Sequence, residues 1–212
     1  SIFDPVLCEL MYEWFSPIGG KVLDPFAGGS VRGIVAEEMG RRYTGIDLSE
    51  TQIIANKKQS TKPRWLIGDS SEILNEISEE NYDFIFTCPP YYDLEIYTDN
   101  PSDISNMDVE SFDEIYKSIL QKSVKKLKNN RFFAIVVSEV REPSVTGKYS
   151  TGKYRGLVRK TIDMLEGAGL EFYNDMVLFN SQHQASRVGK VYFERNRKIP
   201  SVHQNVLVFV KG

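Results

Sequence analysis

Apolar residues along the chain fall into two alternating periods. Short runs rich in aromatic and β-branched residues, Lys21–Asp24, Tyr43–Ile46, Trp65–Ile67, Phe84–Phe86 and Phe132–Val137, read as buried strands. Between them the spacing becomes helical. Ile2–Phe15 starts at Asp4-Pro5 and shows an apolar stripe of Val6, Leu7, Leu10, Met11 and Trp14. A second helix begins at Val31, a third spans Ser49–Gln59, and a short one runs through Ile73 and Leu74. Val109–Lys128 carries Phe112, Ile115, Tyr116, Ile119, Val124 and Leu127 on one face, and Tyr154–Glu166 is stopped by Gly167 and Gly169. Two longer strands, Leu170–Asn180 and Ser201–Val210, close the chain. This alternation predicts an α/β domain over residues 1–212, built on a parallel sheet with right-handed crossovers. Asp93–Asp108 and Glu142–Lys153 lack periodicity and are expected to be loops. Ser181–Pro200 is a polar connection long enough to be functional.

With 212 residues the chain can bury one good core and is short for two. No apolar run reaches the roughly 20 residues needed to span a bilayer, and the N-terminus lacks a signal-peptide pattern, so a cytoplasmic protein without a membrane partner is expected. Cys8, Cys88, His183 and His203 are not spaced as metal ligands, and no metal is expected. Cys8 falls within a helix as a small core residue. The net charge of −3 hides a division: residues 1–106 hold 8 basic and 18 acidic residues, residues 107–212 hold 18 and 11. The basic half is the place to look for a polyanion, although Lys122, Lys125, Lys126 and Lys128 also suit the end of a helix dipole.

Chemistry concentrates at predicted strand ends. Asp83–Glu95 contains an apolar strand stopped by Pro89 and Pro90, which offer carbonyl oxygens and no N–H. Such a turn suits an amino-group donor, and Tyr91 and Tyr92 supply flat faces for a ring; an ordinary strand-ending loop has the same composition. Asp24-Pro25-Phe26-Ala27-Gly28-Gly29-Ser30 joins a strand to a helix through glycines, which lets backbone approach a ligand. It is neither the dinucleotide G-x-G-x-x-G nor a P-loop. Asp47 lies 18 positions past Gly29, suited to ribose hydroxyls or to a helix cap, a job for which Ser49 competes; Asp69 ends the third strand.

In this order, Asp24–Gly29, Gly45-Ile46-Asp47, Gly68-Asp69 and Cys88-Pro89-Pro90-Tyr91 resemble the motifs of S-adenosylmethionine-dependent DNA amino-methyltransferases. The resemblance is closest to the methyltransferase domain of phage proteins that also carry a ParB-like domain. It implies a Rossmann-like class I methyltransferase fold, with a seven-stranded, mostly parallel sheet and an antiparallel last strand. It implies S-adenosylmethionine as cofactor, held by Phe3, Asp4 and Pro5, by Asp24, Pro25, Phe26, Ala27, Gly28 and Gly29, by Asp47 and Leu48, and by Asp69 and Ser70. Cys88, Pro89, Pro90 and Tyr91 would hold a flipped adenine or cytosine. DNA would be contacted by Tyr92, Arg187, Lys190, Arg195, Arg197 and Lys198, with Arg141–Lys160 adding basic surface. The family has Asp, Asn or Ser where this chain has Cys88, and a thiol is a poor acceptor. The similarity of cysteine to serine tilts the target toward cytosine and leaves adenine open. Alternatives are carbon-5 methylation with Cys88 as nucleophile, a methyltransferase for RNA or another substrate, and an inactive DNA-binding module. The chain is lean in specificity elements, so a fused or separate DNA-binding domain, or a homodimer, is the expected source of them.

Overall fold

Strand β4 (Tyr82–Thr87) is buried at every residue and lies at the centre of the sheet. Its Phe84, Ile85 and Phe86 side chains are fully buried, each worth about 1.5–3 kcal/mol of apolar burial. The computed structural model describes residues 3–78, 81–92, 103–142, 152–179, 189–191, 193–194, 197–199 and 201–212. Seven strands form one sheet: β1 (Lys21–Asp24), β2 (Arg42–Asp47), β3 (Arg64–Ile67), β4, β5 (Leu127–Val137), β6 (Leu170–Phe179) and β7 (His203–Lys211), in the order β3-β2-β1-β4-β5-β7-β6. The first five run parallel, and β7 pairs antiparallel with both β5 and β6. The expected seven-stranded sheet with an antiparallel last strand is therefore present.

Among the described residues, the helices that cover the two faces are α1 (Pro5–Phe15), α2 (Val31–Glu38), α3 (Glu50–Gln59), α4 (Ser70–Glu76), α5 (Val109–Lys126) and α6 (Leu157–Glu166). Leu23, Ile85, Ile135 and Leu207 pack with residues of α4, α5 and α6, while Val22, Phe84, Phe86 and Val136 pack with α1, α2 and α3. Alternate residues of each strand thus feed two cores, as a sheet buried on both faces requires.

Several boundaries differ from expectation. α1 starts at Pro5, because Asp4 takes an extended conformation and its carboxylate accepts from the Val6 and Leu7 amides. Its buried face is Cys8, Met11 and Tyr12, whereas Val6, Leu10 and Trp14 of the expected stripe are 59%, 40% and 57% exposed. Polar anchors choose that face: Tyr12 donates to the Arg32 carbonyl, and buried Arg41 donates to the Tyr12 and Ser16 carbonyls at the helix end. β5 begins directly after α5 at Leu127, five residues before the expected strand. α6 begins at Leu157, since Gly156 has a left-handed φ of 76° and Tyr154 is drawn into an antiparallel bridge with Arg141. The acidic stretch before α5 includes a buried 3-10 turn, Ile104–Asn106, capped by Asp103. Most of the predicted Glu142–Lys153 loop lies outside the described residues. Among the described residues, no helix is long and apolar enough to cross a membrane and no cluster of side chains is arranged to hold a metal.

Candidate functional site

The strand order reverses between β1 and β4: successive strands run outward to β3 on one side and to β5 on the other. In an open parallel sheet, this reversal opens a crevice beyond the strands' carboxyl ends. The predicted motifs leave the sheet there, side by side: Asp69 after β3, Asp47 on β2, Asp24–Gly29 after β1 and Cys88–Tyr91 after β4.

Asp24 holds the centre without facing the crevice. It is fully buried; one carboxylate oxygen accepts from Arg32 Nε (2.7 Å) and the Tyr43 hydroxyl (2.6 Å), the other from Thr87 Oγ1 (2.6 Å) and the Phe26 amide (3.1 Å). Four donors saturate it, so the expected contact between Asp24 and a ligand is corrected to a structural one. Arg32, which the motif reading passed over, completes the hub. It is 4% exposed and also donates to the Phe26 and Ala27 carbonyls at 2.7 and 3.0 Å, so one guanidinium fixes the turn after β1. Burial opposes the Arg32 charge, yet Asp24 and, more weakly, Tyr43 and Cys88 outweigh it and hold the group protonated.

The rest of the turn is clasped by β2 and α3. The Gly28 amide donates to Asp47 Oδ2 (2.8 Å), the Ser49 amide to Asp47 Oδ1 (2.8 Å), and Asn56 Nδ2 to the Gly28 carbonyl (2.7 Å). Asn56 is fully buried and is a second residue the sequence reading missed. Of the two roles weighed for Asp47 from the sequence, capping falls to Ser49, while the Asp47 carboxylate holds the backbone just before α3 and stays partly exposed. Burial pushes the Asp47 carboxyl above the ordinary aspartate range, against the backbone donors from Ser49 and Gly28. Gly28 adopts a left-handed φ of 51°, and a Cβ built on either Gly28 or Gly29 would meet nothing within 4 Å. Open space above a glycine turn is what a ligand lying against backbone needs. Leu48 is partly exposed beside Asp47, and Ala27 is buried with its amide on the Ile46 carbonyl. Asp69 caps α4 through the Ser71 amide, and buried Ser70 donates to the Pro25 carbonyl at 2.5 Å, tying the β3 and β1 ends together. Phe3 reaches the same place, with Arg32 stacked 4.4 Å from its ring centroid and Phe86 edge-on at 5.7 Å, while Asp4 and Pro5 are exposed at the start of α1.

On the β4 side, Cys88, Pro90 and Tyr91 are partly exposed and Pro89 is buried. The Tyr91 hydroxyl accepts from Gln204 Nε2 (2.8 Å), donates toward the Val136 carbonyl (3.4 Å) and lies 3.6 Å from Cys88 Sγ. Burial pushes its ionisation far above the ordinary tyrosine range, so Tyr91 is a neutral surface and not a base. Tyr92 corrects an expectation. It is 1% exposed at a left-handed φ of 53°, packs 4.3 Å from Phe112 and donates to Asp113, which Lys160 also binds. Tyr92 is core and does not reach DNA.

The basic connection is only partly described. Among its described residues, 189–191 and 193–194 are helical. Lys190 pairs with Glu194 at 3.8 Å, Arg197 lies over Phe193, and Lys198 donates to the Gly152 carbonyl at 2.5 Å. Arg187 and Arg195 lie outside the described residues.

No family model and no curated protein matches the sequence. Solved structures do. A SAM-dependent methyltransferase of Methanosarcina mazei aligns with TM-score 0.63 at 10% identity, over 100% of this chain and 99% of that one. A SAM-dependent methyltransferase of Archaeoglobus fulgidus aligns with TM-score 0.59 at 16% identity, over 98% and 95%. The chain has the Rossmann-like fold of these methyltransferases. The [4+2]-cyclase SpnF aligns comparably, with TM-score 0.60 at 16% identity over 98% of this chain and 81% of that one, so the shared fold does not select the chemistry.

Proposed function

We propose that the protein is an S-adenosylmethionine-dependent methyltransferase acting on the exocyclic amine of a base in DNA. The observation that carries this reading is the placement of two turns on neighbouring strands. The glycine turn after β1 and the Pro-Pro turn after β4 share one crevice, and the Asp24–Thr87 hydrogen bond joins their bases. The cofactor fits the first turn. The open faces of Gly28 and Gly29 accept its methionine end, Asp47 has lone pairs left for ribose hydroxyls, and Asp69 can accept the adenine amine. Phe3 stands over Arg32 and closes that end. When bound, the cofactor supplies an electrophilic methyl group on sulfonium sulfur.

The residues of the second turn orient the acceptor. An aromatic amine is a weak nucleophile because its lone pair is delocalised into the ring. Carbonyl oxygens of the Pro89-Pro90 turn can grip its hydrogens and swing the lone pair toward the methyl group. The turn's oxygens would thus aim the amine lone pair at the methyl group that a bound cofactor would supply, and the amine proton would leave to water. Orientation and electrostatics carry the rate, in keeping with a Tyr91 that stays neutral. A base in duplex DNA must be flipped out to arrive there, with Tyr91 as its stacking surface. Lys190 and Arg197 are exposed and available to phosphate, since a surface pair such as Lys190–Glu194 is worth only about 0–1 kcal/mol.

A partly exposed thiol in the crevice keeps a second reading in view, carbon-5 methylation through Cys88. One experiment separates them. Under the amine reading Cys88→Ser keeps or raises methyl transfer to DNA, serine being the better acceptor, while Tyr91→Ala reduces it severely. Under the carbon-5 reading Cys88→Ser is inactive, and the unmodified protein forms a denaturant-stable adduct with 5-fluorocytosine DNA.

A further inference from the structure

Glu139 stands two residues beyond β5, on the strand next to the Cys88–Tyr91 turn, whose tyrosine hydroxyl reaches the Val136 carbonyl of that same strand. Its carboxylate is used on one side only. Oε1 accepts from the Val158 amide (3.1 Å) in the first turn of α6, doing the capping job that Gly156 at the cap position cannot do. Oε2 is buried, and no described residue donates to it. A helix cap needs a single acceptor, so capping accounts for half of this side chain. A buried acceptor left without a donor is costly, and such a group calls for a partner.

The position of Glu139 says what that partner is. It lies on the β4–β5 side of the crevice, away from the glycine turn, and therefore on the acceptor-substrate side. There the residue opening the Pro-Pro turn is a thiol, a poor acceptor, so the described side chains of that turn add little to its carbonyl oxygens. We propose that Glu139 is a substrate-binding residue whose Oε2 accepts an N–H of the target base, supplying the strong acceptor that Cys88 does not. The inference rests on the amine reading above. A carboxylate at this place favours a base edge that presents an amino group, as adenine and cytosine do, and repels one that presents a carbonyl oxygen, as thymine O4 and guanine O6 do.

The variant Glu139→Gln tests it, because the Val158 amide keeps a carbonyl oxygen and only the buried Oε2 is exchanged, for an NH2 donor. The measurements are thermal stability, calorimetric S-adenosylmethionine affinity, and steady-state methyl transfer to DNA. Unchanged stability and cofactor affinity, with kcat/KM for DNA lowered on the order of 10- to 100-fold, supports the proposal. Glu139→Ala removes the cap as well and should lower both stability and transfer. If Glu139→Gln methylates DNA as well as the unmodified protein, or loses stability and cofactor affinity in step with activity, Glu139 is a cap only and the proposal is overturned. Absence of transfer to any DNA by the unmodified protein would overturn the amine reading itself, and this inference with it.

Discussion

Replacing Arg32 by Met removes the one side chain that joins the β1 hub to the glycine turn while keeping most of its apolar length. Four interactions vanish: the ion pair to Asp24, the bonds to the Phe26 and Ala27 carbonyls, and the stacking on Phe3. Breaking a buried ion pair from one side costs about 3–5 kcal/mol, because the remaining charge is stranded. Asp24 would still have Tyr43, Thr87 and the Phe26 amide as donors, which puts the expected loss near the lower end, about 3 kcal/mol. For a domain of this size each kcal/mol moves the Tm by about 2–4 °C, so scanning calorimetry should show a fall of roughly 6–12 °C. The double variant Arg32→Met/Asp24→Asn should recover part of that, since no charge is left unpaired. Cofactor affinity at a temperature where Arg32→Met is folded should drop by about tenfold or more, as the released carbonyls let the turn move. A Tm within about 2 °C of the unmodified protein would refute the reasoning, because a hub that can lose its only cation without penalty is not holding the turn.

Asp47→Asn exchanges two charge-assisted acceptor roles for neutral ones and should weaken S-adenosylmethionine binding by about 30-fold in calorimetry. Because burial raises the Asp47 carboxyl, it protonates at a higher pH than an ordinary aspartate. Affinity should accordingly fall on acidification sooner than an ordinary aspartate would allow, and Asp47→Asn should flatten that dependence; an unchanged pH profile would remove the Asp47 charge from the site. Gly28→Ala should cost about 1–2 kcal/mol from its left-handed φ and close the open space above the turn; full cofactor affinity would place the ligand elsewhere. Burial pushes the Cys8 thiol up to about 12, so an alkylating agent at pH 8 should modify Cys88 alone in the folded protein, as a mapped digest would read; early labelling of Cys8 would contradict its burial.

The succession of strands and motifs along the chain was readable because turn-forming residues punctuate it. Asp24-Pro25 stops β1 and Pro89-Pro90 stops β4, and the alternation with helical spacing leaves few topologies. The two-core arrangement follows from the same runs, as β4 shows with Phe84 and Phe86 on one face and Ile85 on the other. The α1 face was misread in part, Met11 being buried as expected, because hydrophobic spacing alone does not choose between Val6-Leu10-Trp14 and the Cys8-Tyr12 side. The long-range bonds of Tyr12, from its hydroxyl to the Arg32 carbonyl and from Arg41 to its own carbonyl, favour the latter. The same limit hid Arg32, Asn56 and Glu139, whose roles lie in partners far along the chain. Lys122 and Lys126 read as a charged helix end, yet each is anchored to a carbonyl of the Ser71–Ile77 segment. Tyr92 shares its chemistry with Tyr91, yet its own positive φ goes with a ring buried in the core while Tyr91 stays partly exposed.

The proposed methylation of a base amine in DNA can be read directly from DNA itself. DNA from cells expressing the protein, and from cells expressing Asp47→Asn, would be digested to nucleosides and analysed by mass spectrometry. N4-methylcytosine or N6-methyladenine should rise above background with the unmodified protein and decrease sharply with the variant. Only 5-methylcytosine, or no new methylated nucleoside in DNA from cells that accumulate folded, cofactor-binding protein, would contradict it.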